Sequence, residues 1–311
     1  MKLGMMFPGQ GSQSVGMLSE LSASRTEVKQ TLEEANDALG YDLANMMLNG
    51  PEEELNRTQN TQPAVLVGAV AIWRVWQSMD GPRPDVLAGH SVGEFTALVC
   101  SEALPFSEAV QFVCERGKAM QAAVPEGEGA VAAVLGLDDD AVAEVCSKSE
   151  EGEVVSAVNF NAPGQVVIAG HTGAVNRALA NAKEAGAKKC MILPVSVPVH
   201  CALMREPGET LVNKIENLDL SAPKIPILHN VGVKAQPAPE GIREALRPHV
   251  YSPVPWTRTI QTMAADGVDT LVECGAGRVL AGLARRINRS LAAHAAYDEA
   301  SLEKTITALR G

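Results

Sequence analysis

No stretch of the 311-residue sequence is apolar enough to cross a bilayer. The longest run, AVLVGAVAIW at 64–73, falls well short of the roughly 18 residues that a spanning helix requires. An N-terminal h-region is also missing, because one lysine and a few apolar residues precede Pro8, so the cytoplasm is the expected compartment. Positive charge is in deficit: 26 Lys and Arg stand against 37 Asp and Glu, a net charge of −11, which argues against nonspecific nucleic-acid binding. The six cysteines (100, 114, 146, 190, 201, 274) contain no C-x-x-C pair and no Cys/His cluster with zinc spacing, so they read as reduced, mostly buried thiols. Cys201 follows His200 directly, but neighbours along a strand point to opposite faces, which disfavours a thiol and imidazole pair. Low-complexity segments and solenoid repeats are absent, and 46% hydrophobic with 20% charged residues is ordinary soluble usage. The length exceeds one ordinary core, so the expectation is one large domain with an insertion, or two domains.

What is present begins with FPGQGSQSVGM, residues 7–17. The preceding LGMMF reads as a short buried strand, and Gly9 and Gly11 let the backbone turn and approach a ligand closely. The turn is not a dinucleotide fingerprint, since Ser14 occupies the third glycine position of G-x-G-x-x-G, and no Gly-Lys-Ser/Thr follows to make a P-loop. What the loop holds stays open on this stretch alone.

Residues 129–196 repeat one order of elements. GAVAAVLGL reads as a strand, DDDAVAEVCSKSEE as a helix opened by acids, and VVSAVNF as a strand. Then PGQVVIAG reads as a strand, TGAVNRALANAKEAGA as a helix with a threonine cap, and KKCMILPVS as a strand. That is the βαββαβ order of a ferredoxin-like unit. Proline and glycine at VPEGEG (124–129) and LPVSVP (193–198) mark its edges, which predicts an inserted subdomain at 126–197 within a main domain formed by 1–125 and 198–311. Elsewhere helical patterns alternate with the apolar strands DVLAG (85–89), IPILHNV (225–231) and DTLVECG (269–275), implying a mainly parallel α/β sheet covered by helices.

Strand DVLAG runs into GHSVG, residues 89–93, and then into a helical pattern. G-x-S-x-G arises by chance in roughly one chain in ten of this length, but a strand before it and a helix after it are what a nucleophile elbow needs, and they single out Ser91. A serine hydroxyl needs a base. Of the six histidines, His200 follows VSVP where the chain leaves the insert, while His90 is too close in sequence to reach the Ser91 hydroxyl easily; His171, His229, His249 and His294 read as surface or core residues. A Ser-acid-His order would place the acid between 91 and 200, where Asp138 to Asp140 open a helix and face solvent. A dyad whose imidazole is oriented by a backbone carbonyl is therefore expected. In EAVQFVCERGKAM, Phe112, Arg116 and Met120 lie at i, i+4, i+8, which turns Arg116 inward.

FPGQGSQ, TQPA (61–64), GHSVGE, ERGKAM (115–120), NFNAPGQVVIAG (159–170), PVSVPVHCALM (194–204) and ECGAGRVL (273–280) together resemble the bacterial malonyl-CoA:acyl-carrier-protein transacylases over nearly the whole chain. The resemblance implies an α/β-hydrolase-like domain with a ferredoxin-like insert. It implies Ser91 as nucleophile, His200 as base, the backbone N–H groups of Gln10 and Val92 as the oxyanion hole, and Arg116 as the partner of the malonyl carboxylate. Val199, where serine is usual, would shape the acyl pocket; Pro255, where glutamine is common, would orient His200 through its carbonyl; Ala276, where proline is usual, is expected to matter little. Implied too are malonyl-CoA as donor, the phosphopantetheine thiol of acyl carrier protein as acceptor, no metal or redox cofactor, no nucleic-acid or membrane partner, and a monomeric chain. GRVLAGLARRINRS (277–290), with four arginines and no acid, is the candidate carrier-docking surface. The alternatives are a serine esterase or thioesterase, or a malonyl transferase subunit of a malonate decarboxylase or a polyketide system.

Overall fold

The computed structural model describes residues 1–125, 127–195 and 197–311. Nine strands are found among them, in chain order β1 (Leu3–Phe7), β2 (Val86–Gly89), β3 (Gly129–Leu135), β4 (Val155–Ala162), β5 (Gln165–His171), β6 (Lys189–Ile192), β7 (Ile227–Leu228), β8 (Thr270–Cys274) and β9 (Ala292–Ala296). They form a five-stranded sheet of order β7-β2-β1-β8-β9 and a four-stranded sheet of order β4-β5-β3-β6.

The five-stranded sheet is parallel throughout. Its central strand is LGMMF, buried at every residue because both faces are covered: Leu3, Met5 and Phe7 enter one core, whereas Met6 packs with Ala88, Ile260, Met263 and Leu271 in another. β1 and β2 are neighbours in register, Phe7 opposite Gly89, so the Gly9 loop and the GHSVG turn leave the same carboxyl edge side by side. Open parallel sheets bind ligands at that edge. Behind it, the helix Thr58–Ser78 is buried along most of its length, and the helix Phe106–Ala122 packs against it.

The second sheet is antiparallel and holds the βαββαβ order expected for 126–197. One face, with Ala132, Val134, Val166 and Ile168, packs on the helices Asp139–Ser149 and Thr172–Glu184. The other, with Val131, Val158, Val167 and Ala169, meets Cys201, next to the candidate base, and the Phe160 and Val254 N–H groups tie β4 to the main body by donating to the Val254 and Val158 carbonyls. The insert therefore roofs the carboxyl edge of the parallel sheet.

Several expectations need adjustment. β9, AAHAA, has no strand signature in sequence, being alanine-rich; it is added by pairing along β8. Only Ile227–Leu228 of IPILHNV is strand. The last strand of the insert ends at Ile192; the reading through 196 and the boundaries at 126 and 197 involve Glu126 and Ser196, which lie outside the described residues. Thr172 is the first helical residue rather than the cap, and its hydroxyl donates to the Gly127 carbonyl instead.

Candidate active site

β2 ends at Gly89 and the helix Gly93–Cys100 begins at once, which forces Ser91 into the left-handed region at φ 52°. The turn closes so tightly that a Cβ on Gly89 would lie 1.9 Å from the Gly93 carbonyl carbon, and one on Gly93 2.4 Å from the Phe7 oxygen. The two glycines of the motif are thus steric necessities. Asn230, just past β7, holds the turn from behind: its Oδ1 accepts from the Ser91 N–H at 2.9 Å, its Nδ2 donates to the Gly89 carbonyl at 2.7 Å, and its own N–H donates to Glu94 at 2.7 Å.

His200 is buried and also left-handed, at φ 61°. Strain of this kind persists where the surroundings over-determine it. Its Nε2 lies 2.6 Å from the Ser91 Oγ, and its Nδ1 faces the carbonyl oxygens of Ser252 at 2.9 Å and His249 at 3.2 Å. Carbonyls only accept, so the ring proton sits on Nδ1 and the Nε2 lone pair faces the serine hydroxyl. The orienting carbonyls are therefore not that of Pro255. Pro255 precedes the helix Trp256–Ala265, and its carbonyl is taken by the Thr259 N–H and hydroxyl; the short 3₁₀ turn His249–Tyr251 brings residues 249 and 252 to the imidazole instead. No carboxylate contacts His200 among the described residues, which leaves a dyad.

Burial, reinforced by His249, Arg116 and His90 nearby, holds the His200 imidazole well below its ordinary value of 6.5, with the Ser252 bond opposing. A base works only when unprotonated, so a lowered pKa keeps it competent at lower pH. We expect the acid limb of Ser91 acylation, followed as kcat/KM against pH, to fall below pH 6.5; a limb at or above that value would contradict the burial of the free imidazole.

The loop after β1 lies against this turn. A Cβ on Gly9 would come within 2.5 Å of the His90 carbonyl oxygen, so only glycine permits the approach. Gln10 and Val92 both line the cavity holding Ser91 and His200, and among the described residues neither backbone N–H donates to a protein acceptor. Two free amides beside a nucleophile can receive a developing oxyanion. The cavity measures about 90 Å³ and has an apolar wall that includes Met120, Val131, Val167, Leu193 and the half-buried Val199.

Arg116 faces inward as its spacing predicts, with 1% of its surface exposed between Phe112 and Met120 on the helix Phe106–Ala122. It lines the same cavity; Nη1 donates to Gln62 Oε1 at 2.6 Å, and Nη2 reaches His249 Nδ1 at 3.4 Å. Burial pushes it down to about 10, Glu94 opposing, which leaves it a cation at neutral pH. Cys201 takes no part: its thiol, pushed up to about 11 by burial, donates to the Pro198 carbonyl.

Sequence reasoning missed Asn230, Glu94, His249, Ser252 and Gln62. His229 and His249, read as surface or core residues, are buried and lie under the site. Their one sequence signal is position, at the ends of a short strand and of a proline-flanked turn.

A serine in a strand-turn-helix elbow, a carbonyl-oriented imidazole and two free amides at the edge of a parallel sheet define a serine acyl-transfer site on an α/β fold. The chain belongs to the acyl transferase family, whose domain model matches residues 5–303. It is 51% identical over 302 residues to the malonyl CoA-acyl carrier protein transacylase of Salmonella typhimurium, covering 97% of this chain and 98% of that one. The corresponding transacylase structure from Coxiella burnetii superposes with a TM-score of 0.98 at 42% identity, covering 100% of this chain and 98% of the other. A malonyl-transacylase solved in complex with a type II polyketide acyl-carrier protein gives 0.97 at 48% identity, covering 99% and 100%.

Proposed function

We propose that this chain moves a malonyl group from malonyl-CoA to the phosphopantetheine thiol of an acyl carrier protein through an ester on Ser91. The observation that carries the reading is one small cavity holding the Ser91–His200 contact at 2.6 Å together with a buried arginine. The Ser91 hydroxyl attacks the thioester carbon as its proton passes to His200 Nε2, and the carbonyl oxygen becomes an oxyanion facing the Gln10 and Val92 amides, each worth roughly 3 kcal/mol in comparable acyl-transfer sites. The carbon–sulfur bond then breaks, and the CoA thiol leaves with the proton from His200. In the second half the carrier thiol gives its proton to His200, attacks the ester carbon and releases Ser91, which recovers the proton. Arg116 receives the free carboxylate of the acyl group, and Val199 forms part of the wall beside it. These steps use no metal or redox cofactor. Six free cysteines suit a reducing compartment, the cytoplasm, and no helix is long and apolar enough to cross a membrane among the described residues.

Incubation with malonyl-CoA, with and without a pantetheinylated carrier, tests the reading by intact mass. Malonyl on the carrier supports it; free malonate formed at the same rate with and without the carrier would mean a thioesterase.

An acidic carrier would need a local basic surface on this acidic chain. Arg278, just before the helix Val279–Ile287, Arg285 and Arg286 on it and Arg289 just beyond it are exposed, and among the described residues none pairs with a carboxylate. Arg286 donates to Gln165 of the insert and Arg285 to the Ala293 carbonyl, which fixes their position at the junction of the two sheets. Reversing Arg285, Arg286 and Arg289 to glutamate should slow transfer to the carrier by roughly tenfold or more at low salt while acylation by malonyl-CoA changes little. Equal losses in both half-reactions would remove the docking role.

A further inference from the structure

Arg116 has no carboxylate within ion-pair distance among the described residues, although it is almost fully buried. The carboxylate whose charge reaches it is Glu94, itself fully buried in the first turn of the helix after the elbow. The His249 ring stands between them, with Nδ1 at 3.4 Å from Arg116 Nη2 and Nε2 at 3.5 Å from Glu94 Oε2. Arginine only donates, so His249 Nδ1 holds a lone pair and the ring proton lies on Nε2, which faces Glu94 Oε2 as a close approach and not as a formed hydrogen bond. Burial keeps this imidazole below its ordinary value, in keeping with a neutral ring. Burial opposes the Glu94 charge, yet the histidine N–H groups that face it favour the carboxylate and its carboxyl lies well below the usual range; His229 Nδ1 and the Asn230 N–H bind its two oxygens at 2.8 and 2.7 Å. Phe95 fixes both partners of the bridge, lying 5.9 Å beneath the Arg116 guanidinium and edge-on to the His249 ring at 5.6 Å.

We infer that the His249 side chain is a positioning residue for acyl-group selection, a spacer that lets Glu94 balance the Arg116 charge from a distance while keeping the arginine fork free for a substrate carboxylate. The inference rests on the proposed role of Arg116. A guanidinium has five N–H donors; Gln62 and His249 occupy one each, and Nε has no partner among the described residues. Direct contact with Glu94 would close the fork into a bidentate pair and remove the donors that a malonyl carboxylate needs. The spacer must accept from Arg116 on one side and donate toward Glu94 on the other. Glutamine can do both; alanine and leucine can do neither.

The test compares acylation of Ser91 by malonyl-CoA and acetyl-CoA in the full chain. His249→Ala should lower the malonyl-over-acetyl ratio of kcat/KM by roughly 10- to 100-fold, the scale of a misdirected charge-assisted hydrogen bond, mainly through the malonyl KM. His249→Leu, which fills the ring's volume, should do the same if the alanine variant does not fold. His249→Gln should keep the ratio within about threefold, small beside that loss. Equal loss for both substrates, or a glutamine variant as impaired as the other two, overturns the inference. A wild-type protein with no malonyl preference overturns the reading of Arg116 and this inference with it; a preference that His249→Ala leaves intact overturns this inference alone.

Discussion

Ser91→Ala should abolish the covalent intermediate. Wild-type protein incubated with malonyl-CoA and no acceptor should gain about 86 Da, a malonyl group replacing a proton, on Ser91 alone, and the variant should gain nothing. The effect is large because, in the proposed mechanism, the Oγ is the one atom to which the acyl group is attached between the two half-reactions. The 2.6 Å approach of His200 Nε2 and the carbonyls of Ser252 and His249 behind its Nδ1 place the base that makes that oxygen nucleophilic. Removing a nucleophile from such a unit costs on the order of 10⁶ in turnover, and residual activity comes from binding and the oxyanion hole. The alanine methyl fits where the serine methylene sits, and the elbow's φ of 52° and its clamp on Asn230 involve the backbone, so the fold should survive. An adduct that persists at the same stoichiometry in Ser91→Ala would place the acyl group on another residue and end the assignment.

How far the site could be read in advance depended on whether its constraints were local. The elbow was legible because its geometry demands small residues two positions either side of Ser91, and that demand is written as G-x-S-x-G. The inward turn of Arg116 followed from helical spacing with Phe112 and Met120. The βαββαβ insert announced itself through alternating periodicities and proline edges. What escaped was set by long-range packing. The carbonyls that orient His200 come from a turn 49 and 52 residues away, and a backbone carbonyl carries no residue signature, so Pro255 was the wrong choice although the expected kind of partner was right. His249 reads only as a surface or core residue, and Glu94 carries no reading of its own, until the fold buries both beneath the nucleophile. β9 is strand only because β8 offers it an edge.

Arg116→Ala should invert the preference for the acyl group. The guanidinium is a buried cation with partly unused donors, in a cavity whose other wall is apolar. A free carboxylate entering that space must give up its water, and it is stabilised only if a fixed cation replaces that water. An acetyl group brings no such charge and gains nothing from the arginine, whose unused N–H groups then face an apolar methyl. Removing the side chain should therefore cost malonyl-CoA about 3–5 kcal/mol, the penalty of a buried charge left unpaired, or roughly 10²- to 10³-fold and more in acylation kcat/KM. Acetyl-CoA should hold its rate or improve, since the truncated side chain leaves room and no unsatisfied donors. Gln62 and Glu94 lose a neighbour in the same variant, so a thermal melt recorded alongside shows whether the fold has suffered. A matched fall for both substrates would make Arg116 a structural cation and move acyl selection to the wall formed by Val199, Val131 and Val167; a fall for malonyl-CoA alone would locate selection at the guanidinium.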